Sequence, residues 1–337
     1  MATPYILLTG ATGNVGAVIL EHLIAANQSV NAVLRSFAKS KAFLEAKYPS
    51  AITAGTLTFT EIPDLAAPGA FHAPAANASN IIHVATPLAY SDFQNAMIEP
   101  AWKFDHNILA AASASPSVKR VVITGSTVST MRIPHDVVTG KTFTEANYNP
   151  ITLEEALANP SSAYQYSKTM SEQKSWAYMA ETKPHFDLVF LLVPLVTGRS
   201  PEQGYAPPSR ERMGGIALVS RFLFDGKERS LYFAYFMDVD DVARVHIKAL
   251  DPSVPGNERY LLHSGLLHLN EYANRLREKY PELRDRIAPG KEDEGFPEQM
   301  SKFDVSKMEK VFGTQWVDGF ESVEAIVKDA LAYEATH

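Results

Sequence analysis

Residues 5–20 read Tyr5-Ile6-Leu7-Leu8-Thr9-Gly10-Ala11-Thr12-Gly13-Asn14-Val15-Gly16-Ala17-Val18-Ile19-Leu20. The stretch opens as a short apolar run, breaks at three glycines spaced three apart, and resumes with helical apolar spacing. A strand that ends in G-x-x-G-x-x-G and opens a helix is a dinucleotide cradle. Gly10 allows the tight turn, Gly13 lets the backbone approach a pyrophosphate, and Gly16 lets the helix close onto the strand. The helix N-terminus brings N–H groups and a positive dipole end to the phosphates. Thr12, Asn14 and Val15 fill the loop and are expected to share the contact with the coenzyme.

The rhythm of that stretch continues. Apolar runs at 5–9, 29–34, 57–62, 80–85, 120–124 and 187–193 are rich in Ile, Val and Leu on both parities, as strands buried on both faces require. Helical patterns near 14–27, 38–47, 92–114 and 162–182 lie between them. The alternation predicts an α/β fold, a Rossmann-type doubly wound parallel sheet. After Pro194 the pattern changes. Residues 198–215 are dense in Gly and Pro and read as a long loop, and further helices are expected near 215–225, 239–250, 270–280 and 319–334. We divide the chain into a dinucleotide-binding domain, 1–193 with about 236–250, and a smaller C-terminal substrate-binding domain, 194–235 and 251–337.

Where the second strand ends stands Arg35. An acid there would hydrogen-bond the ribose 2′-OH of NAD, whereas an arginine suits the 2′-phosphate of NADP. Ser36 and Lys39 follow and add donors. Past the third strand, Asp64 with Leu65 is placed either to reach the adenine amino group or to cap a turn.

Composition closes several doors. The chain has 337 residues, 46% hydrophobic and 20% charged, with a formal net charge of −7 and no cysteine. That excludes a disulfide scaffold, a thiol nucleophile and a cysteine-held metal. The balance of charge argues against nucleic acid as a partner. The ten histidines show no metal-ligand spacing, so no metal is expected. No apolar stretch approaches the 18 residues of a membrane span, and we expect a cytoplasmic protein that is a monomer or homodimer.

Tyr164 and Lys168 stand four apart on the helix that precedes the sixth strand, one face of one helix. Ser161 or Ser162 is expected to cap that helix. The spacing alone is weak, since fewer than one such pair arises by chance; its place after a dinucleotide loop gives it weight. A phenol can hand a proton to a developing alkoxide, and an ammonium beside it eases that transfer. Lys168 can also bind the nicotinamide ribose. A carbonyl substrate needs a second donor, and the fifth strand runs out into Thr124-Gly125-Ser126-Thr127. Ser126 is the expected donor, with Thr127 and Thr124 as alternatives.

Together the glycine loop, Ser126, the Tyr164/Lys168 pair and Phe236-Met237-Asp238-Val239-Asp240-Asp241-Val242-Ala243 resemble an extended short-chain dehydrogenase/reductase. Within that superfamily, Ile82-His83-Val84-Ala85-Thr86-Pro87 resembles the fourth strand of the dihydroflavonol reductase and yeast methylglyoxal (aldehyde) reductase group. The resemblance implies NADPH-dependent reduction of an aldehyde or ketone to an alcohol, with coenzyme contacts at Ala85, Thr86, Pro87, Thr124, Tyr164, Lys168, Pro194 and Val196. It also implies that His83 and His246 are buried structural histidines. Thr86, Leu88, Met131 and Tyr205 are assigned to the substrate wall beside Ser126, and their apolar character suggests a hydrophobic or aromatic carbonyl compound. Asn14 stands where the family usually has an aromatic, Gly125 where a second serine is common, and Phe104-Asp105-His106 replaces the usual Gly-Thr-x before Asn107. The alternatives are an NAD-dependent epimerase/dehydratase, a hydroxysteroid-type dehydrogenase, and a non-catalytic NADP(H) sensor.

Overall fold

A computed structural model describes residues 4–201, 219, 222–224, 234–291 and 295–336. Tyr205 and most of the 198–215 loop lie outside the described residues, as does most of the helix expected at 215–225.

The first half alternates strand and helix as the apolar runs require: β1 Tyr5–Thr9, α1 Asn14–Ala25, β2 Val30–Leu34, α2 Phe37–Lys47, α3 Pro49–Thr53, β3 Leu57–Glu61, α4 His72–Ala75, β4 Ala78–His83, α5 Glu99–Ser113 and β5 Arg120–Ser126. There follow β6 Thr142–Phe143, α6 Leu153–Ala156, α7 Pro160–Thr182, β7 Asp187–Val193, β8 Leu195–Thr197, β9 Tyr235–Asp238, α8 Val239–Lys248, β10 Glu258–Leu261, β11 Gly265–Leu266, α9 Leu269–Lys279, β12 Lys302–Phe303, α10 Ser306–Phe312 and α11 Gly319–Thr336.

Seven strands form one sheet in the order β3-β2-β1-β4-β5-β7-β10, and every pairing in it is parallel. Both faces are covered. Leu188, Phe190 and Leu192 of β7 pack into one apolar layer, while Val189, Leu191 and Val193 point into the opposite one. Strand periodicity of two with apolar residues on both parities has no other stable solution. The strand order reverses between β1 and β4, which opens a crevice at their carboxyl ends.

Three boundaries differ from the sequence reading. β4 stops at His83 because the Val84 and Ala85 N–H groups turn to the Thr9 hydroxyl, at 3.1 and 3.2 Å, instead of extending the ladder. The helix expected over 92–114 begins as a π-turn, Gln94–Ile98, and becomes α-helical with Pro100 in its first turn. Proline supplies no N–H there, so the ring sits where none is needed. The cap of α7 is Asn159, not Ser161 or Ser162: its Oδ1 accepts the Ser162 N–H at 2.9 Å. Pro160 occupies the first helical position, and that places the cap on the residue before it, two upstream of Ser161.

The later part of the chain builds its own apolar cluster from Phe236, Leu267, Leu276, Phe320, Val323, Ile326 and neighbours. It is not cleanly divided from the sheet. β10, which the division at 251 had placed with the later part, pairs with β7 at the sheet edge. The Asp238 to Ala243 stretch is a structural joint. Buried Asp238 caps α8 through the Asp240 N–H at 2.9 Å and accepts the Ser322 hydroxyl of α11 at 2.6 Å. Gly198 in β8's exit has φ +99°, and a Cβ there would come within 2.3 Å of that carboxylate. We expect Asp238→Ala to remove about 1–2 kcal/mol of stability in urea unfolding, chiefly through the lost cap, since the Ser322 hydroxyl keeps the Thr197 hydroxyl at 2.6 Å.

Candidate active site

The crevice is built from strand ends. Gly10 leaves β1 with φ +74°, and a Cβ on it would lie 3.0 Å from the Ala85 nitrogen of the β4 exit. Gly16 sits over the turn so closely that a Cβ would stand 2.1 Å from the Gly10 carbonyl oxygen. Gly13 is the N-cap of α1 and provides no side chain to occupy its first-turn N–H groups. Asn14 Oδ1 is shielded from solvent and has no partner among the described residues. That orphaned amide costs free energy until a ligand donor, or with the amide reversed a phosphate oxygen, reaches it. Tight glycine packing, an uncapped helix N-terminus and an unpaired amide fit a dinucleotide. Thr12 and Val15 are half-buried beside them.

Thr9 also decides a tautomer. Its oxygen accepts two backbone N–H groups, so its proton goes to His83 Nδ1 at 2.8 Å. The His83 proton is therefore on Nε2, which faces Asp105 Oδ1 at 3.3 Å. His83 Nε2 makes no hydrogen bond among the described residues, so the contact is electrostatic. Ser171 of α7 donates to the other Asp105 oxygen. Asp105, one of the departures from the family pattern, thus joins β4 to α7. His83 is 1% exposed and His246 fully buried, so both have the buried positions expected of them.

Arg35 and Lys39 are exposed at the end of β2 and the start of α2, and Ser36 is the α2 N-cap. Asp64 is exposed and accepts the Ala66 N–H at 2.8 Å, which is the turn-capping role. The Leu65 side chain is buried, and its carbonyl takes the Asn107 amide at 3.0 Å. Thr86 and Pro87 are half-buried past β4, and Leu88 is 65% exposed. Met131 does not fit the substrate wall. It is fully buried in the core beneath the sheet, because the turn after β5 directs it inward, and it has no open surface for a ligand. Pro194 is buried and Val196 half-buried after β7.

Ser126 is the last residue of β5 and pairs with Val193 of β7. Among the described residues its hydroxyl makes one hydrogen bond, accepted from the Val128 N–H at 3.4 Å, so its proton remains to be given. Thr124 is different. The His246 Nδ1–H donates to the Val242 carbonyl at 2.7 Å, so Nε2 must accept from the Thr124 hydroxyl at 2.8 Å. That commitment removes Thr124 as a donor to substrate. Gly125 is tightly packed: a Cβ would lie 2.8 Å from Leu192 Cδ2, so the end of that side chain would have to shift. Tyr164 and Lys168 are half-buried on α7, and Lys168 Nζ donates to the Thr124 carbonyl at 3.0 Å. The ammonium is thereby tied to the strand that carries Ser126.

Two residues that the sequence reading did not single out hold this arrangement. Buried Glu172, one turn beyond Lys168, pairs with Arg259 of β10 at 2.7 Å and accepts the Ser129 hydroxyl at 2.6 Å. Ser129 Oγ also lies 2.9 Å from the Ser126 carbonyl. Arg259 further donates to the Glu145 and Asn147 carbonyls and lies over the Tyr148 ring at 3.9 Å. Nothing in the local sequence marks a pair 87 residues apart.

Among the described residues no group of His, Asp and Glu is arranged to hold a metal ion, and no helix is long and apolar enough to cross a membrane.

Comparison with known proteins follows the same lines. The model of the NAD dependent epimerase/dehydratase family matches residues 6–262. The chain is 30% identical to the ketoreductase azaE of Aspergillus niger over 93% of each chain. It is 31% identical to the ketoreductase CTB6 of Cercospora nicotianae over 98% of this chain and 96% of that one. The fold matches the crystal structure of yeast methylglyoxal/isovaleraldehyde reductase Gre2 complexed with NADPH. The TM-score is 0.84 at 21% identity, over 99% of this chain and 100% of that chain.

Two outcomes test the site's energetics. Arg259→Met leaves a buried carboxylate unpaired and is expected to cost about 3–5 kcal/mol in urea unfolding. Burial pushes the His246 and His263 imidazoles down to about 4. In the unfolded chain they bind protons below about pH 6.5, so the unfolded state takes up more protons between those values and stability falls with pH. Each histidine should remove about 2 kcal/mol between pH 7 and 5. The same urea titration on His246→Gln should show a smaller drop, and an unchanged drop would contradict this assignment.

Proposed function

Because the chain belongs to the NAD dependent epimerase/dehydratase family, of extended short-chain dehydrogenase/reductase type, we propose that it is an NADPH-dependent reductase of an aldehyde or ketone. The observation that carries this reading is the division of labour at the ends of β5 and α7. Ser126 has a proton to give, Tyr164 is half-buried on α7, and Lys168 is anchored on the Thr124 carbonyl. Bound NADPH supplies the hydride. Ser126 donates to the substrate oxygen and polarises the carbonyl. Tyr164 delivers the proton that the developing alkoxide needs, and Lys168 orients the nicotinamide ribose and favours that transfer. Gly10 to Gly16 hold the pyrophosphate on the α1 N-terminus, and Arg35 with Ser36 and Lys39 receives the 2′-phosphate.

The same geometry argues against dehydratase chemistry. The carboxylate closest to Ser126 through the hydrogen-bond network is Glu172, and it is committed to Arg259 and Ser129. Leu88 and Tyr90, which follow β4 in the chain, are 65% and 86% exposed and present apolar surface. They favour a hydrophobic or aromatic substrate over a phosphorylated one.

The test is the initial rate of NADPH and NADH oxidation across carbonyls from methylglyoxal to aryl ketones and β-keto esters. Tyr164→Phe should lower kcat by about 10²-fold or more with unchanged unfolding. Full activity in that variant, or silence across the panel with NAD co-purifying, would overturn the reading.

A further inference from the structure

β3 ends at Glu61, directly opposite Leu34 of β2 in the parallel register. Its side chain does not point away into solvent. Glu61 Oε1 accepts the Phe37 N–H at 2.6 Å. Phe37 is the first residue of α2, whose N-cap Ser36 provides no side-chain hydrogen bond of its own. The neighbouring strand therefore supplies the negative group that this helix end attracts. Among the described residues neither Glu61 nor Arg35 makes an ion pair with another side chain.

We propose that Glu61 is a specificity-determining residue that holds down the preference for NADPH over NADH. The inference rests on the coenzyme reading above. It adds that the place prepared for the 2′-phosphate already contains an anion. Arg35, Ser36 and Lys39 flank the α2 N-terminus, and the phosphate brings a charge of about −1.5 to −2 there. It must share that corner with the Glu61 carboxylate or displace it from the Phe37 N–H. NADH carries only a ribose hydroxyl at this position, which can donate to a carboxylate instead of being repelled by it. Arg35 and Glu61 thus pull in opposite directions: the first favours the phosphorylated coenzyme, the second the unphosphorylated one.

Glu61→Gln separates the two effects. The amide oxygen still accepts the Phe37 N–H, and Glu61 is exposed, so the fold is not at issue. The measurement is the Kd of NADPH and of NADH for the full-length protein and the variant, by quenching of intrinsic fluorescence at low and at high salt. Removal of the charge should tighten NADPH about fivefold at low salt, less at high salt. NADH binding should stay the same or weaken. A variant that binds NADPH no better than the original chain, or that tightens both coenzymes equally, overturns the role of Glu61 while leaving the reductase reading intact. Failure of the original chain to bind either coenzyme overturns both.

Discussion

The buried ion pair between Glu172 and Arg259 is the interaction on which the site depends. It joins α7, the edge strand β10, the turn after Ser126 and the Glu145 to Asn147 segment in one hydrogen-bonded knot. The residues α7 buries are unusual for a helix of 23 residues: Ala163, Gln165, Ser167, Thr169, Ser171, Glu172 and Ser175. Apolar packing would allow this helix to rotate or slide by fractions of an ångström at little cost. Directional bonds to partners on three other elements do not. Gln165 exchanges bonds with both the N–H and the carbonyl of Ile133, and Ser171 is held by Asp105 of α5. Half-buried Tyr164 and Lys168 on the same helix inherit that fixed register.

The coenzyme crevice obeys a different constraint, which is steric. Gly10 and Gly16 let α1 approach the sheet more closely than any side chain would permit. Thr9 then seals the junction by gathering two N–H groups from the β4 exit and pointing its proton at His83. His246 does the corresponding work on the other side, where its lone pair takes the Thr124 hydroxyl and leaves the Thr124 carbonyl to Lys168. The two histidines are linkers with opposite tautomers, each dictated by what its neighbour has left to offer.

Local grammar explains what could be read in advance. The glycine loop, the six apolar runs and the spacing of Tyr164 and Lys168 concern residues a few positions apart, and backbone geometry converts such spacings directly into turns, faces and strand ends. Where a nearby competitor was present the reading slipped. Pro160 moved the α7 cap to Asn159, the Thr9 hydroxyl ended β4 early, and Met131 passed for wall when it is core. β10 escaped notice because four residues carry too little pattern to announce a strand; its partner β7 defines it.

By itself, then, the sequence determined a parallel α/β sheet, the dinucleotide loop at its first turn, and the residues proposed to carry proton-transfer chemistry. These follow from periodicity and from chemical type. Only the tertiary structure decided that Ser126 rather than Thr124 has a proton to spare, that Asp105 links β4 to α7, and that Glu61 caps the start of α2. Each of these rests on contacts between residues 24 to 122 positions apart, and a hydrogen bond is a relation between two groups in space that no single segment of chain contains.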